Sequence, residues 1–120
     1  MKIVNLNNHP IRVERSDGST YEYPPSGKVL RLQTEDEIVN EIDKNPIVRR
    51  VYYFPEGSDI PPVEKDTYYI VPSQVAQIMN RPDFISPDTK QAHGAKRMPN
   101  GQVISVTRFR VCDTIRERRG

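Results

Sequence analysis

Prolines and glycines, eleven and six in 120 residues, interrupt this chain roughly every ten residues, which favours short strands and turns over long helices. Between the interruptions the pattern is mostly β. Lys2 to Leu6 is a short apolar run entering Asn7-Asn8, and Ile11 to Arg15 alternates apolar with charged, as a half-buried strand does. Ser16-Asp-Gly-Ser19 predicts a type I′ hairpin turn, Thr20 to Tyr23 the return strand, and Pro24-Pro25 its stop. Lys28 to Gln33 resumes with Val29, Leu30 and Leu32 as core candidates.

Residues 34–42 carry two signatures. Thr34-Glu-Asp-Glu37 resembles a capping box, with Ile38, Val39 and Ile42 at helical spacing. The same residues can pair with Pro46 to Phe54 across Asp43-Lys-Asn45, and the β-prone Ile47–Phe54 favours that strand reading. Tyr68 to Val71 is the compact apolar run expected at the sheet centre. Pro72-Ser73 then opens one short helix, about 73–81, with Ser73 as cap, Val75, Ile78 and Met79 on its apolar face, and Pro82 as its end. A last long hairpin turns at Asn100-Gly101, a second type I′ signal, into Val103–Val111. The expected fold class is α+β, β-rich: one small domain of antiparallel hairpins over residues 1–112, with a flexible basic tail at 113–120.

Several function classes are excluded early. Cys112 is the single cysteine, so there is no internal disulfide and no cysteine-rich metal site; packing at the end of a strand is its expected use. His9 and His93 lack a metal-type partner three or four residues away. The phosphate-binding glycine loops and the serine-hydrolase elbow are absent, and no metal or cofactor is expected. No run approaches the apolar length of a membrane span, and the N-terminus lacks a signal-peptide core, so a cytoplasmic protein is expected. Net charge is +2 and the sequence pI about 8.8, but no basic stripe with interleaved aromatics marks a nucleic-acid face.

The residues that invite a binding role are polar and lie at predicted turns and strand ends. Asp83, Ser86, Asp88 and Thr89 follow the helix, flanked by Arg81 and Lys90. A solvated loop held by its own side chains is one reading; a polar binding loop on a rigid sheet is the other. Arg31, Arg50, Arg97, Arg108 and Arg110 fall on predicted strands. Two or three converging on one pocket would make an anion site, because the guanidinium fork matches phosphate or carboxylate. The six tyrosines fall in three near-pairs; most are expected in the core, with a subset free to stack on a ring.

The chain resembles a group of small phage and actinobacterial proteins of unassigned function. The resemblance rests on Asn5-Leu-Asn-Asn-His9-Pro-Ile11, Pro24-Pro-Ser-Gly-Lys-Val-Leu-Arg31, Tyr69-Ile-Val71, Val75-Ala-Gln77, Arg81-Pro-Asp83, Ser86-Pro-Asp-Thr89 and Gly101-Gln-Val-Ile-Ser-Val-Thr-Arg-Phe109, in order over most of the chain. It departs at Asn7-Asn8, where the group has Thr-Pro, and at Pro72, where it has serine. The resemblance implies a phage or prophage origin and a site built from Asn5, His9, Arg31, Asp83, Asp88, Arg97 and Arg108.

Three functions fit these residues. The first is a homo-oligomeric binder that sequesters a small anionic, nucleotide-like ligand, such as a host immune signal, without turning it over. The second is a small hydrolase or lyase with His9 or Asp88 as general acid or base. The third is an interaction module that presents strand edges and the arginine tail to a host protein.

Overall fold

The computed structural model describes residues 1–112; the tail at 113–120 lies outside the described residues. The fold is α+β and β-rich, with a single α-helix among those residues. At its centre lies a four-stranded sheet in the order β1 (Lys2–Asn5), β6 (Thr67–Ile70), β7 (Phe84–Pro87), β10 (Phe109–Val111). The apolar run expected at the sheet centre is indeed flanked on both edges. Its neighbours correct the all-antiparallel expectation, however: β1, β6 and β7 run parallel, and only β10 is antiparallel. Parallel partners need a crossover, and the β6–β7 crossover is the helix α1 (Ser73–Met79).

Strand alternation sends side chains to both faces of this sheet, and both are covered. One face packs Tyr69, Val71 and Phe84 against Val75 and Ala76 of α1 and against Leu6 and Leu30. The other packs Ile70 and Ile85 against Ile11, Val13, Ala95 and Val106. That second layer combines the ribbon β2 (Ile11–Glu14)–β3 (Thr20–Tyr23) with the ribbon β8 (Lys96–Arg97)–β9 (Val103–Ser105), joined through a bridge between Val13 and Val106. Cys112 packs against the first core cluster, the use expected of it. Among the described residues, no helix is long and apolar enough to cross a membrane.

Residues 34–42 are strand. β4 (Gln33–Ile42) and β5 (Asn45–Tyr53) form a two-stranded ribbon that turns at Asp43-Lys44, both at positive φ, 51° and 65°. This is the type I′ geometry. Asp17-Gly18 and Asn100-Gly101, predicted to adopt it, do not. In each pair only the glycine has positive φ. Gly18 N–H donates to Arg15 O and Gly101 N–H to Met98 O, giving three-residue loops with a glycine bulge. The cause is the side chain before the glycine: Asp17 Oδ1 accepts from Ser19 N–H at 2.9 Å, and Asn100 Oδ1 from Gln102 N–H at 3.0 Å.

Other expectations are corrected in detail. Pro72, not Ser73, stands at the helix N-cap, and Asn80 in the left-handed region closes the helix ahead of Pro82. Ile78 is exposed, and Ala76 takes its place on the buried face. Lys28–Leu32 is not a strand; Leu30 is buried while Val29 is exposed. The run Val103–Val111 breaks after Val106, so β9 and β10 belong to different sheets. Tyr69 is the only buried tyrosine of the six; the other hydroxyl-bearing rings stay partly in water, as their polar tips favour.

Candidate anion-binding cleft

The carboxyl ends of three parallel strands open on one side of the sheet. β1 leads to Asn7 and His9, β6 to Val71, Pro72 and Ser73, and β7 to Pro87 and Thr89. β9 and the start of β2 form the opposite wall, and together they enclose a cleft of about 580 Å³. Clefts outside the carboxyl ends of parallel strands recur as ligand sites, because the connecting loops diverge there. The volume suits a small molecule.

Its lining combines two arginines with imidazole, hydroxyl and amide groups. Arg12, Arg110 and His9 line it with Ser73, Thr89, Ser105, Asn7 and Gln102, and no aspartate or glutamate does. Neither Arg12 nor Arg110 forms an ion pair among the described residues. Guanidinium groups near hydroxyl and amide donors stabilise an anion; Glu22 stands across from Arg12 in the β2–β3 ribbon but does not line the cleft.

Four of the residues singled out from sequence build the rim from behind. Asn5 is buried at the end of β1. Its Nδ2 donates to the carbonyls of His9 and Tyr23, both at 3.0 Å, while its Oδ1 accepts from Asn7 N–H and Asn7 Nδ2. Every polar valence of Asn5 is used, so it shapes the loop that carries His9. Asp88 is buried after β7; its Oδ2 accepts from Arg108 Nε at 2.8 Å and from His93 Nδ1 at 2.7 Å, and its Oδ1 from Lys90 N–H. The Arg108 bond, together with the bonds from Lys90 and His93, holds the Asp88 carboxyl well below the usual carboxylate range against the opposing effect of burial. Asp88 is therefore an ionised acceptor, which makes His93 Nδ1 the donor. It has no proton to give at neutral pH, so the general-acid role foreseen for it does not fit. Arg97 donates to Thr89 O at 2.9 Å and to Gly101 O at 2.7 Å, tying the cleft rim to the last hairpin.

The remaining three divide. His9 lines the cleft, its Nδ1 donating to Pro10 O at 3.1 Å. Asp83 lies at the other end of β7, on the order of 16 Å from Asp88 at strand spacing. There it takes a two-bond fork from Arg81, whose guanidinium also donates to Pro61 O and covers the Phe84 ring. Arg31 is exposed and does not line the cleft. The seven residues thus do not form one pocket.

Sequence reasoning missed Arg12 and weighed Arg110 only as one strand arginine among several. Alternation along β2 points Arg12 away from its own core, and no local signal shows that β9 stands beside it. No tyrosine lines this cleft. Tyr21, Tyr23 and Tyr69 line a second cleft of about 850 Å³, where Lys2, Arg15 and Lys28 are matched by Asp59 and Glu64. Among the described residues, no cluster of histidine, cysteine or acidic side chains is suited to hold a metal ion. No protein-family model matches the chain, nor does any curated protein or solved structure.

Proposed function

We propose that this chain binds a small phosphate- or carboxylate-bearing molecule in the cleft at the carboxyl ends of β1, β6 and β7, and holds it without chemical change. One observation carries the reading: Arg12, Arg110 and His9 line the cleft with hydroxyl and amide groups and without any carboxylate. Buried polar scaffolding supports it, since Asn5, Asp88 and Arg97 fix the rim loops with bonds already complete. Nucleotides are the first class to test, through their phosphates; the cleft lining holds no tyrosine to stack on a base. In a phage setting, which the sequence resemblance suggests, such a protein would keep a host signal nucleotide out of circulation.

The test is a thermal-shift and calorimetric titration in phosphate-free buffer against inorganic phosphate, mononucleotides, cyclic dinucleotides and small dicarboxylates. A ligand at a hundred times its Kd stabilises the fold by about 2.7 kcal/mol, a readable shift. Joint replacement Arg12→Gln and Arg110→Gln removes the shift, Arg31→Gln keeps it, and the released ligand has unchanged mass. A shift that survives the joint replacement, or none with any anion, overturns the reading; an altered mass makes the protein an enzyme.

A further inference from the structure

Among the described residues, the β4–β5 ribbon pairs with no other strand. Every residue of β4 is exposed, and in β5 only Val51 is partly covered. The register places Thr34, Asp36 and Ile38 with Tyr52, Arg50 and Val48 on one face, and Glu35 and Glu37 with Val51 and Arg49 on the other. Beyond a bulge at Val39, Ile42 and Ile47 extend the second face. Each face therefore sets an ion pair beside apolar side chains in water, Ile38 and Ile42 being 73% and 63% exposed. Two-stranded ribbons are marginal alone, and their unpaired edges are templates for further strands.

Charge says which strand fits which edge. β4 carries Glu35, Asp36, Glu37 and Glu41 with no cation, and β5 carries Arg49 and Arg50 with no anion. Within the ribbon Arg49 meets Glu37, and Arg50 meets Asp36 at 3.1 Å. A two-fold pairing would lay acid along acid or arginine along arginine, which is destabilising between facing strands. A rotation about a common axis instead sets β5 of the next copy against the outer edge of β4. It then runs antiparallel, as β5 already does on the inner edge, with its arginines level with Asp36 and Glu37. Such a heterologous contact leaves no open edge when it closes.

We propose that the β4–β5 ribbon is an assembly arm: acidic β4 of one copy pairs with basic β5 of the next, closing a ring whose ribbons form a shared β-barrel. This surface is separate from the anion cleft and stands or falls independently of it.

Native mass spectrometry and light scattering on the full chain test the assignment. The wild type gives one discrete species larger than a dimer. Arg49→Glu with Arg50→Glu gives a folded monomer. The fourfold exchange Asp36→Arg, Glu37→Arg, Arg49→Glu and Arg50→Glu restores every inner and outer pair, so it assembles again by itself but does not mix with wild type. A monomeric or dimeric wild type overturns the proposal, and a monomer would leave the ribbon to a strand of another protein. A folded fourfold variant that stays monomeric, or one that mixes freely with wild type, overturns it equally.

Discussion

The central sheet and the β4–β5 ribbon are built from the same kinds of residue and solve opposite problems. In the sheet, the aliphatic side chains of β6 and β7 are covered on both faces, and the buried acids Asp83 and Asp88 are paired with Arg81 and Arg108. In the ribbon, aliphatic side chains and ion pairs stand in water on both faces. The difference teaches that strand propensity and cross-strand pairing are enough to shape a ribbon, while burial is what makes a sheet self-sufficient.

The contrast breaks or holds first under truncation. Phe84→Ala, at a fully buried site between sheet and helix, costs about 3–5 kcal/mol. Ile38→Thr on the ribbon shifts the stability of the dilute protein by less than about 0.5 kcal/mol. Denaturant unfolding compares them, and similar losses would erase the distinction.

Next comes Gly94→Ala. Gly94 has φ of 92°, and an added Cβ would stand 2.8 Å from Thr107 Cγ2 and Oγ1. Left-handed strain plus overpacking costs about 2–4 kcal/mol. Gly57→Ala, with positive φ but open space around it, costs about 1 kcal/mol, from the strain alone. Equal melting temperatures for the two variants would show that the Thr107 contact yields freely.

Acid sharpens the comparison of charges. The folded Asp88 carboxyl lies below its unfolded value of about 3.9. Its contribution is therefore complete above that value and is lost as pH falls toward the folded pKa. Melting temperature measured against pH should fall below about pH 4 in the wild type, and less steeply in Asp88→Asn, which starts lower at neutral pH. Parallel curves would remove Asp88 from the account.

The smallest effects are gains. Ser86 Oγ is buried without a hydrogen-bond partner among the described residues, so Ser86→Ala stabilises the sheet by about 1 kcal/mol. Lys44→Gly, at a φ of 65° in the ribbon turn, gains about 0.5–1 kcal/mol, offset in part by glycine's freedom when unfolded. Unfolding midpoints that fall in either variant would contradict the assignment.

What was legible in the sequence was local. Thr20–Tyr23 is the strand predicted, Tyr68–Ile70 sits in the central strand, and the ribbon turns across Asp43-Lys-Asn45 as its β-prone return strand suggested. The glycine-marked turns were found and mistyped, because Asp17 and Asn100 bond to backbone two residues on in a way that sequence pairs do not reveal. Parallel pairing of β1 with β6 joins residues more than sixty positions apart, and no local period encodes it. The candidate site was legible as a scaffold only: Asn5, Asp88 and Arg97 prop the rim, while Arg12 and Arg110 line the cleft through tertiary packing.

Amide hydrogen exchange at low and high protein concentration tests the central contrast most directly. Sheet amides such as Tyr69 N–H to Asp83 O and Val71 N–H to Ile85 O should stay protected at both concentrations. Amides of β4 and β5 should exchange fast when dilute and slow as concentration rises and the ribbon edges find one another. Ribbon amides as slow as those of the sheet at every concentration would show that the ribbon stands on its own, and would contradict the account.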